Sequence, residues 1–72
     1  MNKLEQFAER MNAILDRCDG GTNYKWRTAA NDMAAILEEM NSYHPRTNGN
    51  RLILQLLKND AQGWIENWMH GA

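Results

Sequence analysis

The sequence predicts an all-α protein: a small three-helix up-down-up bundle completed by dimerisation. Three observations predict it. Apolar residues recur at helical spacing in three segments. Two stretches rich in turn formers, "DGGTN" and "HPRTNGN", separate those segments. The third segment also carries more apolar surface than a three-helix monomer needs from one of its helices.

The first helix is expected over about 3–18. At about 100° per residue, Leu4, Phe7, Ala8, Met11, Ile14, Leu15 and Cys18 fall within roughly 120° of arc, which makes one core-facing stripe. Asn2 followed three residues later by Glu5 resembles a capping box, with Asn in place of Ser or Thr. Gly20 suits the left-handed position that ends such a helix.

The second helix is expected over about 24–42. Trp26, Ala29, Ala30, Met33, Ile36, Leu37 and Met40 form its stripe, and Thr22 or Asn23 is the candidate cap. The alanines at 29, 30 and 34 allow another helix to approach closely. Pro45 ends the segment and biases His44 away from helical angles. The short "DGGTN" connection favours antiparallel neighbours for helices one and two.

The third helix is expected over about 50–70. "LILQLL" alone reads equally as a buried strand. Its continuation favours helix, because Ile53, Leu57, Trp64 and Trp68 line up at helical spacing. Gly63 costs about 1 kcal/mol relative to Ala inside a helix. Asp60 is a candidate cap for a separate last helix, so a break near "KNDAQG" is the second arrangement to test.

Apolar residues of this segment cover roughly 160° of arc, with Leu52 and Leu56 outside it. The surplus marks an interface. Trp64 and Trp68 are read either as core or as interface anchors; tryptophan serves both uses. The candidate interface residues are Trp64, Trp68, Ile65 and Met69, followed by Leu52 and Leu56. A symmetric homodimer is the commonest cover for such a face.

Composition bounds the rest. Seventy-two residues make one domain, 1–72, whose own core is marginal. Cys18 is the only cysteine, so no disulfide forms within one chain. A net charge of −1 argues against a general polyanion binder and against an acidic DNA mimic. No apolar run reaches membrane-span length, and the first residues lack the apolar core of a signal peptide, so a cytoplasmic protein without membrane contact is expected.

Catalytic patterns are weak. Glu38 and Glu39 are adjacent and point apart on a helix; Glu5 and Glu9 share an ordinary solvated face. Cys18 lies on a core stripe, where thiols are usually inert, so its pairing with His44 or His70 is not read as a nucleophile and base. "CDGGTNYKW" lacks the lysine spacing of a phosphate loop. No catalytic, cofactor or metal site is expected, and no enzyme.

Basic residues supply the remaining pattern. No acidic residue occurs from Met40 to Asn59, whereas Arg46, Arg51 and Lys58 are basic; these three are candidate contacts to an anion or nucleic acid. Lys25 and Arg27 are placed toward the other end of the bundle. The favoured function is a helical interaction module that binds a larger protein and modulates or inhibits it, as accessory inhibitors of mobile elements and phages do. That expectation rests on the class of small helical chains, not on a motif. The alternatives are a small DNA-binding regulator using loop 44–51 with the start of helix three, and a purely structural assembly subunit.

Overall fold

Asn2 starts the first helix. Its side-chain Oδ1 accepts a hydrogen bond from the backbone N–H of Glu5 at 2.8 Å, and its carbonyl accepts from Gln6 N at 3.2 Å. One of the unpaired N–H groups of the first turn is thereby satisfied, and the sequence pattern at Asn2 and Glu5 acts as a cap. The computed structural model describes residues 2–19 and 26–70. Its described elements are three helices: α1 (Lys3–Asp19), α2 (Trp26–Asn41) and α3 (Asn48–His70). The proposed caps Thr22 and Asn23, the stop at Gly20 and residues 24–25 of the expected second helix lie outside the described residues.

α3 begins two residues earlier than the turn-forming composition of "HPRTNGN" suggests. Thr47 is the reason. Its Oγ1 accepts from Asn50 N at 3.2 Å, and its carbonyl accepts from Arg51 N at 3.0 Å. A threonine cap thus pulls Asn48, Gly49 and Asn50 into the first turn. At the other end the helix runs unbroken through Gly63 to His70. Asp60 is an exposed mid-helix residue rather than a cap, and "LILQLL" is helical.

α1 and α2 run antiparallel. Phe7 meets Tyr43, just beyond the end of α2, edge to face with ring centroids 5.9 Å apart. Arg10 reaches Glu39, while Ile14 and Arg17 share a groove with Asp32 and Ile36. The residue numbers rise on one helix as they fall on the other. α2 makes its most extensive contact with α3, and α1 touches both.

One core joins the three helices. It contains Leu4, Phe7, Met11 and Ile14 from α1, Ala29, Ala30, Met33, Ile36 and Met40 from α2, and Leu54, Ala61 and Trp68 from α3. Phe7, Met33 and Met40 are its largest fully buried side chains. Ala29, Ala30 and Ala61 are buried in this core, where small side chains let helices pack closely. Each large apolar side chain so buried contributes about 1.5–3 kcal/mol, which the entropy of ordering the chain largely offsets.

The stripes differ from expectation at two positions, and one of the three alanines expected to allow close helix approach lies outside the core. Trp26 is half exposed, because it is the first residue of α2 and precedes the buried Ala29–Ala30 turn. Ala34 is exposed. Ile53 is also exposed, and its neighbour Leu54 takes the core position. The α3 stripe is Leu54, Leu57, Ala61, Ile65 and Trp68, an alternation of three and four residues centred on Ala61.

Candidate functional site

α3 presents distinct faces. Taking Ala61 as the centre of the buried stripe, about 100° per residue places Ile53 and Trp64 on one flank and Arg51, Lys58 and Met69 on the other. Leu52 and Leu56 lie on the far side, roughly 140–180° from the core. The exposures follow this geometry: Leu52 63%, Leu56 56%, Ile53 46% and Trp64 39%. Met69 is also exposed. Leu52, Ile53 and Leu56 fall within little more than one turn and make a continuous apolar patch; Trp64 stands two turns further along.

The two tryptophans divide. Trp68 is 7% exposed and belongs to the core, the first of its two expected uses. Trp64 lies against it, ring centroids 5.6 Å apart and planes inclined by 29°. Trp64 therefore covers the flank of a core residue and keeps its outer surface open. Ile65 is half-buried against the core, so it too contributes little outward surface. Of the six candidate interface residues, Leu52, Leu56, Trp64 and Met69 are exposed, and Met69 lies on a different flank from the other three.

Sequence reasoning missed Ile53 and Trp26 as exposed surface. A signal for Ile53 was present. The strict alternation 54, 57, 61, 65, 68 passes it by, whereas the broader arc of apolar residues absorbed it.

The basic candidates also divide. Arg51 and Lys58 line one groove with Asn41, Tyr43, His44 and Pro45. Arg51 Nε donates to the carbonyl of Pro45 at 3.4 Å. Arg46 is exposed and does not line this groove.

One charge pair links α1 to α2. Arg10 Nη2 donates to Glu39 Oε2 at 2.6 Å. That hydrogen bond is the main cause that holds the Glu39 carboxyl below the usual carboxylate range, and it raises the Arg10 guanidinium in turn. Both side chains are close to half exposed, so the pair is a surface feature of small energetic weight.

The fold separates His44 from Cys18. Tyr43 touches Phe7, so His44 lies by the start of α1, whereas Cys18 lies eleven residues beyond Phe7, about 16 Å along the helix. Glu5, Glu9 and Glu38 are exposed surface. Among the described residues, no group of three His, Cys, Asp or Glu side chains is placed to hold a metal ion, and no helix is long and apolar enough to cross a membrane. No protein-family model, curated protein or solved structure matches the chain.

Proposed function

We propose that this protein acts by binding protein surfaces through α3, and that the free chain covers the same face by forming a homodimer. One observation carries the reading: Leu52, Ile53 and Leu56 are large, apolar, adjacent and exposed on the side of α3 that the bundle does not use. A domain of this size has little stability to spare, and leucine-sized side chains left in water forgo about 1.5–3 kcal/mol each. Trp64 extends the apolar surface and keeps an indole N–H for a wet rim. Modulation or inhibition of a larger protein is the proposed action, since a small helical chain works most simply by occupying a partner's surface.

The test is Leu52→Glu with Leu56→Glu. Glutamate is a good helix former and both positions are exposed on the face away from the core, so the double variant keeps its fold. In analytical ultracentrifugation the unmodified chain is expected to self-associate and the variant to be monomeric, with equal helical circular dichroism. A strictly monomeric unmodified chain at hundreds of micromolar refutes the homodimer and leaves the face to a different protein.

A small DNA-binding regulator is the second reading, favoured by the meeting of Arg51, Lys58 and His44 in one groove. Phosphate-dominated binding weakens steeply with salt, so binding to generic duplex DNA that is absent at low salt eliminates it.

A further inference from the structure

We propose that the groove between the α2–α3 connection and the first half of α3 is a binding site for acidic side chains, built to take a partner protein's helix that carries two carboxylates two turns apart. The floor of the groove is apolar: Pro45 and Leu54 are buried and Tyr43 is half-buried. Its cations are Arg51 and Lys58, with the His44 imidazole beside them. Seven residues separate Arg51 from Lys58, which is about 10.5 Å of rise and about 20° of rotation. A helix lying along α3 with carboxylates seven residues apart presents them at the same spacing.

Nothing in the described chain answers these cations. Glu39 is engaged by Arg10, and Asp60 lies on the other flank of α3 with Gly63 and Trp64. From Met40 to Asn59 there is no acidic residue at all. Arg51 is also held in place: its Nε is spent on the Pro45 carbonyl, which leaves its terminal amino groups for a ligand. The apolar floor and the small number of cations favour protein carboxylates over nucleic acid. A strand of DNA presents a phosphate about every 3.4 Å and recruits runs of basic residues. This chain has nine acidic residues against eight Lys and Arg. The groove is on the opposite flank of α3 from Ile53 and Trp64, so it stands or falls apart from the apolar-face reading.

The experiment is a titration of the isotope-labelled full chain, followed by amide shifts at low salt. The probes are a capped alanine-rich helical peptide with two glutamates seven residues apart, the same peptide with glutamines, an oligothymidylate and inorganic phosphate. Saturable shifts at Tyr43, His44, Arg51 and Lys58 are expected with the glutamate peptide and not with its glutamine version. Arg51→Gln with Lys58→Gln should weaken that binding by about tenfold, as expected for two exposed ion pairs, with unchanged circular dichroism. Arg46→Gln should leave it unaltered. No saturation by the glutamate peptide, equal binding of the glutamine peptide, tighter binding of oligothymidylate, or a response to phosphate alone would each overturn the proposal.

Discussion

The indole rings of Trp64 and Trp68 stack with centroids 5.6 Å apart, yet one is core and the other is surface. Residues four apart on a helix are neighbours, so their contact follows from the backbone. Their exposures do not, because Trp68 lies on the Leu54–Ala61 line and Trp64 lies beside it. Trp68→Ala should therefore cost about 3–5 kcal/mol, the range for emptying a buried aromatic site. Trp64→Ala should cost clearly less, because only its inner side is packed. Urea denaturation followed by circular dichroism separates the two. Equal losses would mean that the division between core and surface is misplaced.

Gly63 gives a prediction of opposite sign. It lies inside an unbroken helix, and a Cβ added there meets nothing within 4 Å. Gly63→Ala should stabilise the protein by up to about 1 kcal/mol, through helix propensity and a less flexible unfolded chain. For a domain of this size that is a rise of about 4–8 °C in Tm. Thermal melts read it directly, and a fall in Tm would indicate that the bare backbone at Gly63 is used by a contact outside the monomer.

Helix existence was legible because each segment repeats apolar residues at helical spacing, and that spacing dictates burial whatever the partners are. The Asn2 cap was legible for the same local reason: its hydrogen bond to Glu5 spans three residues. Thr47 was not, since Gly49, Asn48 and Asn50 around it also suit a loop, and composition cannot weigh one side-chain cap against three turn formers. The surplus on α3 was legible as a quantity. Which residues form it was not, because Ile53 and Leu54 are equally apolar, and only the contacts with α1 and α2 choose between them. The grouping of Arg51 and Lys58 with Tyr43 and His44 depends on the path of the 42–47 connection, which no periodicity records.

The Arg10–Glu39 pair predicts a pH dependence with a definite sign. The hydrogen bond from Arg10 lowers the folded-state value of Glu39 from the ordinary 4.5. Its stabilisation is therefore fully present above that pH and is lost as pH falls through the lowered value. Glu39→Gln should make the protein slightly less stable at pH 7, and the difference should vanish in strong acid, where Glu39 itself is protonated. Urea melts of both proteins at the two pH values check this. A difference that persists unchanged in acid would assign the effect to packing rather than charge.

Association and folding should be linked. If the Leu52–Ile53–Leu56 patch is covered by a second copy, dimer formation draws the folding equilibrium toward the native state, and stability rises with concentration. The melting temperature of the unmodified chain should fall on dilution, while that of the Leu52→Glu, Leu56→Glu variant should not. The contact is apolar, so moderate salt should leave it intact, in contrast to binding of an acidic ligand in the Arg51–Lys58 groove, where charges are screened over about 10 Å at 0.1 M salt. Trp64→Ala adds the deciding comparison. Trp64 stands two turns beyond the leucine patch on the exposed side of the stacked pair, so its removal weakens the dimer only if the interface runs the length of α3. Sedimentation of the Trp64→Ala protein at a concentration where the unmodified chain is dimeric measures that extent. Retention of the dimer would confine the interface to the first half of the helix, and a melting temperature of the unmodified chain that ignores dilution would remove the homodimer altogether.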